Sequence, residues 1–179
     1  MASLISTLDY KVFQYINEHV KQNIFLDYIM IFFAEYAQYA FILLFIIFWF
    51  IKKSKSRIFV IQAILACCSA FALNRIIGLF FYRERPFVSH MNINQLVEHT
   101  ANTSFPSDHA TSAFVIAITL YLYHKRLGAV FLLVAVLISF SRIWVGVHYP
   151  FDVLMGAILG SVIALITHCL FKAKFKIEK

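Results

Sequence analysis

The sequence predicts an all-α integral membrane protein, a bundle of about five transmembrane helices with an amphipathic interfacial helix at the N-terminus. Composition is the first observation, because 61% of the 179 residues are hydrophobic and only 14% are charged, unlike soluble domains. Patterning is the second, since apolar runs of about 20 residues, the length that crosses ~30 Å of hydrocarbon, alternate with short polar or basic segments. We therefore expect residues 1–179 to form a single membrane domain.

Residues 6–20 are predicted to form the interfacial helix, within an N-terminal segment that covers residues 1–22. Its apolar side chains recur every four residues: Leu8, Val12, Ile16 and Val20. Polar residues fill the other face, and the run is too short and too polar to span a bilayer, so it is expected to lie in the membrane interface. Ser6 and Asp9 have the spacing of a capping box at its start.

Five apolar runs follow and define the predicted bundle over residues 27–171. The predicted spans are residues 27–51, 58–81, 107–123, 127–145 and 151–171. A polar connection at 82–105 joins the second and third spans, and a tight corner at 146–150 joins the last two. A basic tail at 172–179 closes the chain.

The basic residues predict how the bundle is oriented. With five spans, the Lys and Arg clusters at 52–57, 125–126 and 172–179 fall on one side of the membrane and contain ten of the sixteen basic residues. The positive-inside rule makes that side, with the C-terminus, the cytoplasm. The connection at 82–105 and the corner at 146–150 then lie outside. Topology thus accounts for the net charge of +7, which does not indicate nucleic-acid binding.

Polar residues that are scattered in the sequence reach the outer face together in this topology. They are Arg85, Ser107, His109, Arg142, His148 and Asp152. Ionisable side chains are costly inside a membrane and usually mark functional sites. Their convergence therefore predicts one site at the extracytoplasmic end of the bundle.

His148 and Asp152 have the chemistry of a nucleophile and its orienting acid. If the fifth span begins near residue 149, Asp152 in its first turn reaches back to one ring nitrogen of His148 and fixes the tautomer. The other nitrogen is then a competent nucleophile toward phosphorus. Taken alone, the pair also fits a helix-capping Asp beside an interfacial His, and this alternative stays open.

Donors near this pair favour a phosphate ligand. Arg85 and Arg142 each offer a planar fork that matches phosphate oxygens, although either one alone also fits a side chain that reaches lipid headgroups. Ser107, Asp108 and His109 open a helix, where free backbone N–H groups favour an anion and the Ser107 hydroxyl adds a donor. His109 is placed to protonate a leaving oxygen as a general acid.

Glu35 is a carboxylate part-way into the first predicted span. It is expected either to form an ion pair with Arg75, which is similarly buried from the outer side, or to contact the substrate. We do not include it among the catalytic residues. His90 and His99, in the polar connection, are interpreted as loop histidines and not as ligands.

Three motifs within residues 85–152 resemble the signature of the type 2 phosphatidic acid phosphatase (PAP2) superfamily. They are Arg85-Pro86, Pro106-Ser107-Asp108-His109, and Ser141-Arg142 with His148 and Asp152. The third motif is highly specific, and the second adds to it. The sequence departs from the family pattern where Gly78 replaces a common Lys and Asp108 replaces the usual Gly. Arg75 and Arg83 are the candidates to supply the missing positive charge.

The short length, these departures, and the segments Ala-Glu-Tyr-Ala at 34–37 and Arg-Pro-Phe-Val at 85–88 are similar to bacterial undecaprenyl-diphosphate phosphatases of the bacitracin-resistance type. The resemblance implies a cell-membrane enzyme that converts this polyprenyl diphosphate lipid to the monophosphate through a phosphohistidine, with no cofactor or metal. It implies that His148 is the nucleophile, Asp152 orients it, and His109 is the acid. The implied phosphate ligands are Arg85, Arg142, Ser107 and the backbone of Asp108 and His109.

Two alternatives remain open. One is the same chemistry on phosphatidate or phosphatidylglycerophosphate. The other belongs to a different class, a non-catalytic lipid transporter or channel whose buried charges line a path. Arg75, Arg83 and Glu35 are accessory candidates in the enzyme, and membrane lipids are expected partners besides the substrate.

Overall fold

The structure, a computed structural model, describes residues 2–51 and 54–175, and within these ranges it contains helices and no β-strand. The helices are α1 (Ala2–Asn17), α2 (Ile24–Glu35), α3 (Tyr39–Phe50), α4 (Ser54–Phe80), α5 (Pro86–Ser89), α6 (Asp108–Tyr123), α7 (Lys125–Trp144) and α8 (Pro150–Phe175). The predicted all-α class is confirmed. Apart from the first span, the predicted span ends agree with these helices to within four residues. Parts of the basic clusters at 52–57 and 172–179 lie outside the described residues.

The first predicted span is broken, because α2 and α3 meet at an angle of 46°. At the break, the Ala37 N–H still bonds to the Phe32 carbonyl at 3.1 Å. The Gln38 side-chain amide donates to the Glu35 carbonyl at 3.2 Å. The prediction of one continuous helix over residues 27–51 was therefore wrong. The break is tolerated because a polar side chain makes a hydrogen bond to the backbone where α2 ends.

Among the described residues, three helices are long and apolar enough to cross a membrane: α4, α7 and α8. The bent α2–α3 pair adds a fourth span if it is counted as one. α6 has 16 residues, fewer than the ~20 that span the hydrocarbon, and it packs against α4, α7 and α8. The chain is a multi-pass membrane protein, and a count of five spans includes the bent pair and the short α6.

Two glycines of α8 bring the start of that helix against the start of α6. A Cβ at Gly160 would lie 2.3 Å from the Thr111 carbonyl oxygen, and one at Gly156 would lie 2.7 Å from the Ser107 carbonyl oxygen. Only a residue without a Cβ allows so close an approach. Beside this contact, the Ser107 N–H bonds to the Asp152 carbonyl at 3.1 Å, so the N-termini of α6 and α8 are joined.

α1 packs against α7 and α8, and the sequence did not indicate that this packing buries Asp9. Leu8 is 55% exposed and Val12 49%, whereas Asp9 and Phe13 are buried. The apolar exposed face suits a lipid interface. The capping box expected from Ser6 and Asp9 is wrong, because both residues lie inside the helix and Asp9 bonds to other elements.

The connection between α4 and α6 and the corner between α7 and α8 lie at the same end of the bundle. Asn94 of the connection exchanges hydrogen bonds with Asn17 at the end of α1: the Asn94 N–H donates to Oδ1 of Asn17, and Nδ2 of Asn17 donates to the Asn94 carbonyl, each at 2.9 Å. In the corner, Gly146 has a φ of +83°, which glycine adopts without strain. The connection and the corner enclose the cavity described next.

Candidate active site

A polar cavity of about 200 Å³ lies where the α4–α6 connection, the N-terminus of α6 and the α7–α8 corner meet. The side chains that give it its chemistry are Asn74, Arg75, Arg85, His99, His109 and His148. Residues far apart in the sequence therefore share one cavity. Four of them were candidates from the sequence: Arg85 for phosphate binding, His109 as the acid, His148 as the nucleophile and Arg75 as an accessory cation.

His148 is held in one orientation on its cavity side by Arg85. Nη1 of Arg85 lies 3.1 Å from Nε2 of His148 and donates to the Val147 carbonyl at 2.9 Å. A guanidinium only donates, so Nε2 is the acceptor of the imidazole ring and the proton is on Nδ1. The lone pair of Nε2 therefore faces the Arg85 guanidinium at the cavity, and Nη1 must move away from Nε2 before that lone pair attacks phosphorus.

Ser104 lies between His148 and Asp152. Its Oγ donates to Oδ2 of Asp152 at 2.5 Å and lies 3.3 Å from Nδ1 of His148. The direct distance from Nδ1 to Oδ2 is 3.7 Å, beyond a good hydrogen bond. The expected direct bond between the carboxylate and the imidazole is therefore not formed, because the serine hydroxyl links them. Sequence reasoning missed Ser104, which is fully buried and lies just before the second motif.

The other oxygen of Asp152 belongs to an ion pair with Arg83. Oδ1 of Asp152 lies 2.8 Å from Nη1 of Arg83, and Nη2 of Arg83 lies 2.6 Å from Oδ2 of Asp9. Both terminal nitrogens of Arg83 are therefore engaged behind the carboxylate. Arg83 lines a separate surface groove, so it does not supply the missing motif cation at the polar cavity.

Arg142 is buried with only part of its guanidinium satisfied. Nη1 donates to the Ala34 carbonyl at 3.0 Å and lies 3.4 Å from Oε1 of Glu35. Within the described part of the chain, Nε and Nη2 of Arg142 have no hydrogen-bond partner. The expected pairing of Glu35 with Arg75 is wrong, because α2 packs against α7 and brings Glu35 to Arg142. Unpaired donors on a buried guanidinium are strong candidates to bind an anion.

The first turn of α6 presents backbone donors and a carboxylate. Ser107 caps the helix, since its buried Oγ accepts from the N–H three residues on at 3.5 Å. The Asp108 carboxylate accepts from Nδ2 of Asn74 at 2.7 Å and lies 4.0 Å from Nη2 of Arg75. The backbone N–H groups of Asp108 and His109 lie in the first turn, where the helix offers no acceptor and an anion is favoured.

Arg75 lines the cavity from α4. Its side chain is 69% exposed and only loosely paired with Asp108. Gly78, which occupies the position of the family Lys, lies against the connection. A Cβ there would be 2.9 Å from Cγ2 of Thr103 and 3.4 Å from the Phe105 carbonyl oxygen. A side chain at 78 would require the Thr103 methyl group to move, whereas Arg75, three residues earlier on α4, places a guanidinium on this side of the cavity.

His99 and Asn102 belong to the site, although sequence reasoning did not predict it. Oδ1 of Asn102 accepts from Nε of Arg85 at 3.0 Å and from Nη2 at 2.8 Å. His99 lines the cavity, with its ring centroid 6.4 Å from that of His148. The interpretation of His99 as an ordinary loop histidine is therefore corrected, whereas His90 stacks on a tyrosine ring of α1. Their position in the sequence could have indicated both residues, because they lie between the first two motifs.

Burial determines the protonation of two residues at the cavity. It lowers the pKa of His148 to about 4, a shift that Asp152 opposes and Arg85 reinforces. Burial also lowers the pKa of Arg85 to about 10, and Arg142 acts in the same direction. At neutral pH His148 is therefore in its neutral, nucleophilic form, while Arg85 keeps its charge.

A second cavity of about 390 Å³ lies between α3, α4, α6 and α7. Its lining is mainly apolar and includes Phe41, Phe45, Cys67, Phe71, Ile116 and Ile138. His109 lines both cavities. On α4, Phe71 of the apolar cavity and Arg75 of the polar cavity are one turn apart, so they share a helix face. The arrangement fits a ligand with phosphate at one end and a hydrocarbon chain at the other.

Both the sequence and the fold of this chain are similar to those of known proteins. The sequence matches the PAP2 superfamily over residues 59–176. It is 39% identical over 160 residues to "Bacitracin transport permease protein BcrC" of Bacillus licheniformis, a match that covers 89% of this chain and 79% of that protein. It is 35% identical over 159 residues to "Undecaprenyl-diphosphatase BcrC" of Bacillus subtilis strain 168, covering 89% of this chain and 82% of that protein.

The fold is similar to that in the crystal structure of Aquifex aeolicus LpxE. The two chains have a TM-score of 0.75 and are 30% identical, and the match covers 89% of this chain and 94% of the other. The segment that matches the superfamily, residues 59–176, includes all three motifs and all the residues that line the polar cavity. Asp9 and Glu35 lie before this segment.

Proposed function

This chain belongs to the PAP2 superfamily, and we propose that it hydrolyses undecaprenyl diphosphate at the polar cavity, with His148 as the covalent nucleophile. It is a membrane lipid phosphatase, and its relative at 35% identity, named as an undecaprenyl-diphosphatase, supports the polyprenyl diphosphate substrate. The observation that carries the proposal is the pair of adjoining cavities, one polar and one apolar, with His109 on both.

The two cavities divide the substrate between them. The polar cavity takes the phosphates, and the apolar cavity takes the part of the prenyl chain nearest to them, while the rest of the chain stays in the bilayer. His109 then lies between the terminal phosphate and the lipid. This is where a general acid is needed, because the departing lipid phosphate leaves on an oxygen that must be protonated.

The reaction runs in two steps. Nε2 of His148 attacks the terminal phosphorus, and the new N–P bond forms as the P–O bond to the lipid monophosphate breaks and His109 gives its proton to that oxygen. Water then attacks the phosphohistidine: a new O–P bond forms as the N–P bond to His148 breaks, His109 takes a proton from the water, and inorganic phosphate leaves. Ser104 and Asp152 orient the Nδ1 side of His148 through both steps.

Arg142 and Arg85 stabilise the transferring phosphoryl group. Arg142 offers two donors that have no partner in the described structure, and Arg85 lies 3.1 Å from the attacking nitrogen. The first-turn N–H groups of Asp108 and His109 add further donors. Donors that are in place before the reaction stabilise the equatorial oxygens in the transition state. Ser107 supports this turn as its cap, which is a different role from the expected hydroxyl donor.

Arg75 is assigned to the second phosphate of the substrate. It lies one turn from Phe71, so on α4 it is placed between the apolar cavity and the terminal phosphate. Its weak ion pair with Asp108 leaves its guanidinium available. A monophosphate lipid lacks this second group, so Arg75 favours diphosphates.

The site is proposed to face the outside of the cell membrane. Arg57, Lys125 and Lys172 lie near the helix ends opposite the site, and the positive-inside rule assigns that side, with the C-terminus, to the cytoplasm. Met91, 93% exposed in the connection beside the cavity, gives the test. A cysteine at this position, with the three native cysteines replaced by serine, should react with an impermeant maleimide in intact cells. Labelling only after lysis would reverse the orientation.

The function is tested by phosphate release from undecaprenyl diphosphate and from phosphatidate, each in detergent with purified protein. We expect faster turnover of undecaprenyl diphosphate, and a loss of at least about 10³-fold in kcat for His148→Ala, as for other covalent nucleophiles. The exposed His19 provides the matched control, and His19→Ala should leave the rate unchanged. Vanadate, which mimics the transferring phosphoryl group, should inhibit.

The outcomes separate substrate from mechanism. Equal or faster turnover of phosphatidate would overturn the substrate and favour the glycerol-lipid alternative. Hydrolysis that persists in His148→Ala would overturn the covalent mechanism. The word permease in the name of the Bacillus licheniformis relative is the observation that favours transport. Translocation of a labelled polyprenyl phosphate by His148→Ala protein in liposomes would support that alternative.

A further inference from the structure

The N-terminal helix reaches the nucleophile through a continuous chain of contacts. Asp9 of α1 pairs with Arg83 at 2.6 Å, and Arg83 pairs with Oδ1 of Asp152 at 2.8 Å. The other oxygen of that carboxylate, Oδ2, accepts from Ser104, whose Oγ lies 3.3 Å from Nδ1 of His148. These contacts begin in α1, a helix that lies outside the segment that matches the superfamily, residues 59–176.

The contacts define the rotation of the Asp152 carboxylate. Arg83 engages Oδ1, while the Tyr149 N–H donates to Oδ2 at 2.9 Å and Ser104 donates to the same oxygen. Rotation of the carboxylate would break all of these bonds together. Arg83 therefore keeps Oδ2 on the side of Ser104 and His148.

Asp9 in turn restricts Arg83. Oδ1 of Asp9 accepts from the Phe151 N–H at the start of α8 at 2.8 Å, so the carboxylate is anchored while Oδ2 holds the guanidinium. The guanidinium carbon of Arg83 also lies 3.8 Å above the centre of the Tyr149 ring. The side chains of Asp9 and Asp152 are 7% and 0% exposed, and that of Arg83 is 26% exposed. Shielded charge pairs of this kind are costly to break, because one partner is left buried and unpaired.

We propose that Asp9 and Arg83 are positioning residues that act on the nucleophile through Asp152 and Ser104. The inference rests on the proposed function in that it takes His148 as the nucleophile. Seating of α1 on the bundle is then a requirement for catalysis and not only for stability. Neither residue lines the polar cavity, so their loss should slow the reaction without weakening substrate binding.

The test compares kcat and KM for Asp9→Asn, Arg83→Gln and Arg83→Lys. Asn keeps the size of Asp9 and can still accept from Phe151, but it removes the charge that holds Arg83. We expect kcat to fall about tenfold in Asp9→Asn and about 100-fold in Arg83→Gln, the range typical of residues that orient a reacting group, with KM within about twofold. In Arg83→Lys the ammonium group reaches only one of the two carboxylates, so this variant should recover part of the loss in kcat. The double variant should be no slower than Arg83→Gln, because the two residues act as one unit.

Glu18→Gln is the matched control, since it removes the same charge from an exposed residue of the N-terminal region whose only described bonds are to Gln14 and Gln22. Its kcat should equal that of the wild type. A kcat for Asp9→Asn equal to that of Glu18→Gln, or a loss confined to KM, would overturn the proposal. The ratio of the kcat of each variant to that of the wild type is measured with undecaprenyl diphosphate and with phosphatidate. Preference for phosphatidate would defeat the proposed substrate, yet the ratios would still decide the positioning role.

Discussion

His148 and Arg142 lie at the same end of the bundle and are both buried, at 2% and 1% exposure, yet their hydrogen bonding differs. Both ring nitrogens of His148 have neighbours in place: Arg85 at Nε2, and Ser104, backed by Asp152, at Nδ1. Arg142 uses one terminal nitrogen and leaves two donors unpaired within the described residues.

The difference indicates which part of the site is complete before substrate arrives. The nucleophile side, His148 with Arg85, Ser104 and Asp152, is already oriented. The phosphate side, Arg142 with Arg75, has guanidinium groups that are weakly paired or unpaired. A bound phosphate would satisfy these donors, so substrate binding completes the phosphate side of the site.

The sharpest test of the phosphate side is Arg142→Ala. We expect kcat/KM to fall about 10³-fold, because the variant loses the two unpaired donors that we propose bind the transferring phosphoryl group. Arg142→Lys should recover only part of this, since an ammonium lacks the planar fork. Arg126→Ala, at the exposed opposite end of α7, is the control. If the alanine variants at 126 and 142 had equal rates, Arg142 would not be a phosphate ligand.

The nucleophile side is tested by Ser104→Ala. Without the hydroxyl, His148 and Asp152 are 3.7 Å apart with no atom joining them. We expect kcat to fall by about 30- to 100-fold with little change in KM, as when other orienting partners are lost. Steady-state phosphate release measures both constants. Ser161→Ala removes a hydroxyl that donates within α8 and should leave kcat unchanged. An unaltered kcat in Ser104→Ala would mean that Asp152 orients His148 without the serine.

The pH dependence of the reaction tests whether the His148 imidazole is neutral before substrate binds. Because its pKa is lowered to about 4, His148 should stay neutral at pH 5, and kcat/KM corrected for substrate ionisation should change little between pH 7 and 5. With a histidine of ordinary pKa near 6.5, kcat/KM would fall about 25-fold over this range. Such a loss would contradict the lowered value. Stability should decrease as pH falls from about 6.5 toward 4, because the unfolded chain binds the proton first.

The smallest expected effect concerns Arg75. Arg75→Gln should raise KM for undecaprenyl diphosphate by about tenfold, the loss of one charged hydrogen-bonding group, and should leave KM for phosphatidate unchanged. Arg57→Gln, exposed at the other end of α4, is the control for loss of charge. Equal losses on both lipids would show that Arg75 acts on the terminal phosphate or on the fold.

Local patterns were sufficient to predict several features of the molecule. The composition and the spacing of apolar runs predicted the all-α membrane class, because each helix that crosses hydrocarbon must be long and apolar by itself. The count of spans and the positions of Arg85, His109 and His148 predicted that these residues lie at one end of the bundle. The motifs predicted the family.

Contacts between helices were decided only by the tertiary structure. The sequence does not say how far each helix is rotated about its axis, so it did not show that Glu35 meets Arg142 instead of Arg75, or that Asp9 turns inward to Arg83. Ser104 entered the site because the connection packs over the ends of α6 and α8. Sequence patterns report one element at a time, whereas these pairings depend on distances between elements, which packing alone determines.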